Sequence, residues 1–342
     1  MSDPHAHGPD GRRRSAHAAV GDPLAFQRLT DPHRGELQVH CYRLVGSLHD
    51  AEDLVQETML AAWTGVERFE GRASLRAWLY RIATNRCLNA LRDEGRRPAI
   101  LDPPFDTPPP TSLGEATWLE PYPDSLLDEI RDLGPAPHVR YEMRESIELA
   151  FVIALQLLPP RQRAVLVLRD VLGFHAAEVA RILETSEESV KGALKRARQA
   201  INRYRPDGTA PAANSAEERD LVRRFADAFE AADIDSVIAL LTSDAWITMP
   251  PSPLQYQGPE AIGQFLTLAG QWPAPQRHHL IPTRANGQPA FGCYIVDPTT
   301  GVGNAAGLIV LTLRHRRIAA ITRFLDNSTN AQFGLPPVTR DP

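Results

Sequence analysis

The sequence has little of what a secreted, membrane-spanning or metal-holding protein requires. Its 342 residues include three cysteines, Cys41, Cys87 and Cys293, odd in number and far apart. That spacing excludes a disulfide framework and a zinc site, and it points to reduced, buried thiols in a cytoplasmic protein. No apolar run approaches the ~20 residues of a membrane helix. The stretch MSDPHAHGPDGRRRS has no apolar segment behind its charges, so it does not read as a secretory signal; residues 1–24 read as a disordered tail. No phosphate loop and no metal-ligand spacing is visible in the helical half, and neither a metal nor a cofactor is expected.

A large excess of one charge is also missing. Lys and Arg number 37 against 42 Asp and Glu, for a net charge of −5. Spread evenly, that balance would argue against a nucleic-acid partner. It is not spread evenly. Residues 72–97 hold seven arginines (Arg72, Arg76, Arg81, Arg86, Arg92, Arg96, Arg97) against Asp93 and Glu94. Residues 187–205 hold six basic side chains against Glu187 and Glu188. Local basic patches of this kind, rather than the sum, set the affinity for phosphates.

Pro and Gly punctuation divides the chain. Residues 25–97 are helix-rich, with no proline between Pro32 and Pro98. Residues 98–143, including PPFDTPPP, read as an extended linker with a short helix near Asp124–Leu133. Residues 144–206 are again helical, and RPDGTAPAANS supplies a second linker at 207–215. Over 216–335 a helix at about 216–242, the run AWITM, a helix opened by GPEAIGQFL, and the β-rich runs FGCYIV, AAGLIVLTL and IAAITRF predict an α+β domain. Residues 336–342 read as a tail.

The stretch LPPRQRAVLVLRDVLGFHAAEVARILETSEESVKGALKRARQAI is the most specific. Ala176–Leu183 reads as a short helix, ETSE as a turn, and Ser186 as the cap of the next helix. In that helix Val190, Leu194, Ala197 and Ile201 form one apolar stripe. Glu188, Lys191, Gly192, Lys195, Arg196 and Gln199 lie around the other side. A recognition helix needs this division, because one side packs on its scaffold while the other meets phosphates and base edges. The bland alternative is a solvated basic helix in a bundle.

A second stretch, DAEDLVQETMLAAW, places Val55, Met59, Ala62 and Val66 on one apolar helical face. Leu54 and Leu60 stand beside Asp53, Gln56 and Glu57 on the side expected to be wet. Downstream, Leu75, Trp78, Leu79 and Ile82 make a packed stripe, and Trp78 reads as a core residue.

These two blocks, in this order, resemble a bacterial extracytoplasmic-function (ECF) sigma factor of the sigma-70 family. DAEDLVQETMLAAW…FEGRASLRAWLYRIATNRCLNALR resembles sigma domain two, and the helix-turn-helix block, with its LPPRQRAV entry and RAR exit, resembles sigma domain four. Together they cover about half the chain. The Pro-rich linker and the C-terminal domain resemble a subgroup with a SnoaL-like domain, a cone of the nuclear-transport-factor-two type, on MPPSPLQYQGPEAI and NGQPAFGCYIV. The resemblance implies a multidomain chain: two all-α sigma domains, a helical bundle and a helix-turn-helix, followed by an α+β cone.

It also implies partners, core RNA polymerase and promoter DNA, with no membrane. The helix bearing Asp50, Asp53, Gln56 and Glu57 would dock on the clamp helices of the polymerase, with Leu54 and Leu60 as the apolar centre of the contact. Phe69, Tyr80 and Asn85 would lie at a pocket for a flipped base of the −10 element, with room left by Gly71 and Ser74, while Arg76, Arg81 and Arg92 would hold phosphates. Glu188, Lys191, Gly192, Lys195, Arg196 and Gln199 would read the −35 element.

The cone is less informative. Trp246, Met249, Tyr294 and Arg323 are candidate lining for a small-molecule ligand, with Phe265, Asp244, His278, His279, Asp297 and Asp326 nearby in the sequence pattern. His278 and His279 are adjacent and cannot both point inward from a strand. The reading is a non-enzymatic transcription initiation factor whose fused cone modulates its activity. Its rivals are a DNA-binding regulator with a ligand-sensing domain and a pocket enzyme tethered to a DNA-binding module.

Overall fold

The computed structural model describes residues 20–71, 73–93, 106–114, 118–132, 146–202, 210–271 and 276–340. They fall into two compact units. One takes in the chain to Arg97, Leu126–Ile147 and Phe151–Arg205; the other takes in Pro98–Ser125, Glu148–Ala150 and Pro206–Pro342.

The first unit begins with a three-helix bundle: α1 (Pro23–Val45), α2 (Leu48–Gly65) and α3 (Leu75–Ala90). Each helix starts where a short polar side chain satisfies free backbone amides. Asp22 accepts from the amides of Leu24 and Ala25, Ser47 from Asp50, and Ser74 from Ala77. Gly46 closes α1 at a φ of +78°, a conformation that suits glycine. The core is Leu37, Tyr42 and Leu44 of α1, Val55, Met59 and Ala62 of α2, and Leu79, Ala83 and Leu88 of α3, all buried. Burying each such leucine contributes ~1.5–3 kcal/mol. Cys41 and Cys87 meet inside this core, and burial, then the Cys41 neighbour, pushes the Cys87 thiol well above its ordinary value. His40 is fully buried with its Nε2 2.9 Å from Thr84 Oγ1.

The same unit continues through α5 (Leu149–Gln156), α6 (Pro160–Leu166), a π-helical turn at Val167–Val171, α7 (Ala176–Ile182) and α8 (Glu187–Ile201). Helix α4 (Asp124–Asp132) precedes them in the chain, its first two residues belonging to the second unit. Ser186 caps α8 by accepting from the amide of Ser189, and Val190, Leu194 and Ala197 are the buried stripe of α8.

The second unit is a sheet with, among its described residues, three helices, α9 (Ala216–Glu230), α10 (Ile234–Ala239) and α11 (Pro259–Gln271). Its strands are β1 (Ser112–Leu113), β2 (Leu241–Thr248), β3 (Leu254–Gln257), β4 (Arg277–Ala285), β5 (Gln288–Val296), β6 (Val302–Arg314), β7 (Arg317–Phe324) and β8 (Val338–Arg340). The order is β1-β3-β2-β7-β6-β5-β4, with β8 on β6; β2 and β7 run parallel and the other pairs antiparallel. Leu221 and Phe225 of α9 and Ile262 and Phe265 of α11 fill one face of the sheet against Phe291, Cys293, Leu311 and Ile321.

Three expectations need correction. The helix expected at 216–242 breaks at Ala231–Asp233, because Ala232 takes a φ of +53° and Asp233 caps a new helix. The tail expected at 336–342 carries β8. The linker expected over 98–143 carries its expected short helix as Asp124–Asp132, but the described residues ahead of that helix are seated on the sheet rather than free. Thr111 donates its amide to Gln255 O, Gly114 to Pro253 O, and Ser112–Leu113 form an antiparallel ladder with β3. Tyr122 is fully buried, and its amide donates to Asn286 Oδ1. Among the described residues, no helix is long and apolar enough to cross a membrane.

Candidate functional site

Helix α2 answers half of the question its sequence raises. Val55, Met59, Ala62 and Val66 are buried as expected, but so is Leu54, at 4% exposure, which corrects its placement on the wet side. Leu60 stays 67% exposed. It borders a groove of about 360 Å³ lined by Phe26, Gln56, Met59 and Trp63 among others. Phe26 and Trp63 meet edge to face at 5.2 Å, which gives the groove an aromatic wall. Leu24, at the start of α1, is 68% exposed. Asp53 and Gln56 are exposed on the same side as Leu60, as the i, i+3, i+7 spacing requires. Glu57 is tied to Arg86 at 3.1 Å, so the acidic stripe is narrower than the sequence pattern. Asp50, in the first turn, is exposed.

The residues expected at the −10 element separate into two groups. Phe69 is 4% exposed and packs on Trp78 with ring centroids 5.2 Å apart. Tyr80 is fully buried; its hydroxyl donates to Glu36 at 3.3 Å, and burial, then Glu36, pushes its pKa up. Both rings are core residues in this structure, against the expectation of an open base pocket. Arg76 Nε donates to the same Glu36 carboxylate at 3.1 Å, and Arg81 pairs with Glu184 at 2.8 Å. Gly71 takes a φ of +70°, Ser74 is spent on capping α3, and Asn85 is half-buried. Arg92 folds back on Asn89 Oδ1 and Leu88 O at the end of α3. Arg72 lies outside the described residues.

Helix α8 carries the expected division. Glu188, Lys191, Lys195, Arg196 and Gln199 are exposed, and Gly192 is half-buried. A Cβ on Gly192 would stand 3.5 Å from an Arg196 guanidinium nitrogen, so Arg196 lies across the gap that glycine leaves. Arg198, by contrast, forks both nitrogens onto Asp170 at 2.7 Å each. That bidentate pair positions the helix and takes Arg198 out of the free basic set. The π turn bends the chain ahead of α7; Phe174 donates its amide to Leu168 O, and its ring is buried.

In the cone the four candidate lining residues do not converge. Ile247 and Cys293 point into the core, so their neighbours Trp246 and Tyr294 face the other side of the sheet. Tyr294 donates its hydroxyl to Pro336 O at 2.7 Å. Met249 is part of the packed core, and Arg323 donates to Ala306 O and Cys293 Sγ. A small-molecule ligand is therefore not supported by this set. His278 packs on Phe229 at 5.2 Å, and burial, then Arg323, lowers its pKa to about 4. His279 faces Glu230 at 3.2 Å. Asp244 pairs with Arg314, and Asp297 and Asp326 bond their own loops. Among the described residues no group of three His, Cys, Asp or Glu side chains is placed to hold a metal ion.

Sequence reasoning missed Glu36, which organises Arg76 and Tyr80, and the wall of the groove formed by Phe26 and Trp63. Glu36 stands 40 residues from Arg76, and no local pattern joins the two.

A capped helix-turn-helix with a free basic face, behind a three-helix bundle, defines a DNA-binding transcription factor. Comparison with known proteins specifies it further. Residues 29–97 match Sigma-70 region 2, residues 150–201 match Sigma-70 region 4, and residues 222–321 match a SnoaL-like domain. The ECF RNA polymerase sigma factor SigG of Mycobacterium tuberculosis is 44% identical over 319 residues, 91% of this chain and 84% of SigG. SigW of Bacillus subtilis is 27% identical over 57% of this chain and 97% of its own length. The crystal structure of the Mycobacterium tuberculosis sigma factor SigJ shares the fold, with a TM-score of 0.55 at 24% identity, over 89% of this chain and 97% of that one. The chain belongs to the ECF RNA polymerase sigma factors.

Proposed function

We propose that the groove beside Leu60 docks core RNA polymerase, that α3 and the loop before it act on the −10 element, and that α8 reads the −35 element. As an ECF sigma factor the protein binds core polymerase and promoter DNA to start transcription. The observation that carries the residue assignment is the pairing, in one helical unit, of an exposed leucine over an aromatic groove with a recognition helix whose Lys191, Lys195 and Arg196 are exposed. Apolar centres ringed by charge suit protein docking, and free basic helix faces suit the major groove.

The cone, in this reading, governs the connector between the two DNA-reading halves. Supporting it is the seating of residues 106–114 and 118–125 on the cone, through β1, Tyr122 and Asp124. Part of the chain between α3 and α5 is thereby withheld from free extension. A short tether keeps the cone at high effective concentration near that chain.

Run-off transcription with purified core polymerase tests both parts. Leu60→Asp and the pair Lys191→Ala with Arg196→Ala should each abolish most promoter-dependent product. Thr111→Pro, which removes the amide donated to Gln255 O, should change product severalfold without loss of polymerase binding. Wild-type product from Leu60→Asp would remove the docking assignment, and an unchanged Thr111→Pro would remove the role of the cone.

A further inference from the structure

Four side chains on two facing helices of the bundle form one linked set. Glu36 and His40 stand one turn apart on α1, and Arg76 and Tyr80 stand one turn apart on α3. The Tyr80 ring is fully buried and meets the His40 ring edge-on at 4.9 Å. Its hydroxyl donates to Glu36 Oε2 at 3.3 Å, and Arg76 Nε donates to the same oxygen at 3.1 Å. The Arg76 guanidinium also lies 4.9 Å from the centroid of the Tyr80 ring. A ring wedged in the core thus fixes a carboxylate, and the carboxylate fixes a guanidinium.

What distinguishes Arg76 is the nitrogen it spends. Arg81 gives an Nη to Glu184, Arg86 gives one to Glu57, and Arg92 gives one to Asn89. Arg76 gives only Nε, so among the described residues neither of its Nη nitrogens makes a hydrogen bond, and its side chain is 36% exposed. The edge between those two nitrogens is the one that grips a phosphate with two parallel bonds. A partly exposed ion pair contributes little to folding, so stability alone does not account for the arrangement. Its effect is on order, because a long side chain already held in place loses less freedom when it binds. Against this stands the negative charge of Glu36, which repels a phosphate. That carboxylate sits on the Nε side, away from the Nη edge, and it is 33% exposed, so water and salt screen it.

We propose, resting on the reading that α3 acts on the −10 element, that Glu36 is a positioning residue: held by Tyr80, it fixes Arg76 with its Nη edge free to take one phosphate of the −10 strand. Glu36 itself touches no DNA. Tyr80 then serves promoter opening from inside the bundle, through its hydroxyl, instead of as a wall of a base pocket.

Permanganate footprinting of the full-length protein in holoenzyme, on one promoter over a series of salt concentrations, tests it. Arg76→Ala should lower the salt slope of opening by about 0.7, the value for one phosphate of a single strand. Glu36→Ala should weaken opening about two- to tenfold while Arg76 is present, and have no effect in the Arg76→Ala background. Glu36→Gln keeps an acceptor for Nε and should recover opening to within about twofold of wild type. General loosening of the bundle would act equally in both backgrounds, and that additive result overturns the proposal. Stronger opening in Glu36→Ala overturns it too, because repulsion then outweighs positioning. If Glu36→Ala does not fold, Tyr80→Phe carries the same comparison, with a drop in opening expected only while Arg76 is present. A wild-type salt slope in Arg76→Ala overturns the proposal as well. Loss of opening in Asn85→Ala would then leave the −10 reading intact, and normal opening in both variants would remove that reading.

Discussion

Arg284 reaches across 160 residues of sequence to Asp124, Nε to Oδ2 at 3.2 Å, while its other arm holds Glu218 at 2.7 Å. The two acids are nearly buried and Arg284 is 21% exposed. Asp124 also accepts the amide of Gly287 at 2.7 Å. One guanidinium on β4 therefore fastens the connector that follows α3 and the first turn of α9 to the same strand.

Arg284→Met should release that fastening. The expected cost is about 2 kcal/mol, below the ~3–5 of a fully buried pair because Arg284 keeps contact with water. Hydrogen exchange should rise at the Tyr122 and Gly287 amides, with the three-helix bundle unaffected. Unchanged protection at both amides would show that Tyr122 burial alone seats the connector.

On α2, Asp53→Arg and Leu60→Asp should weaken polymerase binding by about 2 kcal/mol or more, roughly 30-fold, with helicity unchanged. Leu54→Asp makes the contrast. Leu54 is buried, so that variant should lower the melting temperature of the bundle itself. Equal melting temperatures for the Leu54 and Leu60 variants would contradict the assignment of core and surface.

The recognition helix offers a salt test. Lys191→Ala or Arg196→Ala should weaken holoenzyme binding to promoter DNA and reduce the dependence of log K on log salt by about one for each phosphate no longer neutralised. Arg198→Ala should leave that slope nearly unchanged, because its guanidinium is bonded to Asp170. A slope change for Arg198 equal to that of Lys191 would show that the Asp170 pair opens on DNA.

His40 predicts a pH dependence of stability. Burial, then Arg43, lowers its pKa from 6.5 to about 3. The unfolded chain then binds the proton first as pH falls, so stability is full above about 6.5 and declines towards pH 3. The slope from this group is about 1.4 kcal/mol per pH unit. His278, lowered to about 4, adds the same sign in the cone. Chemical denaturation at pH 7 and pH 5 should show the loss, and His40→Gln should remove the part due to His40, leaving the smaller part of the same sign from His33, whose pKa burial also lowers. The same pH loss in His40→Gln would place its cause elsewhere.

Much of the architecture follows from local chemistry. The caps at Ser47, Ser74 and Ser186, the apolar stripe of Val190, Leu194 and Ala197, and the free basic face of α8 are properties of short segments, and a 3.6-residue period displays them directly. So do the cone strands at 288–296, 302–314 and 317–324, which the β-rich runs announce. What the sequence could not settle depends on partners distant along the chain. Leu54 and Leu60 look alike in the pattern of α2, and only the packing of α1 and α3 buries one and leaves the other in water. Tyr80 looks available for a base until Glu36 and Phe174, 44 and 94 residues away, enclose it. The prolines of the connector predict extension, yet an extended segment is also what an open sheet edge accepts, and β3 provides that edge. Periodicity and capping belong to neighbours in sequence; enclosure, pairing and edge addition belong to neighbours in space, and those only the tertiary fold supplies.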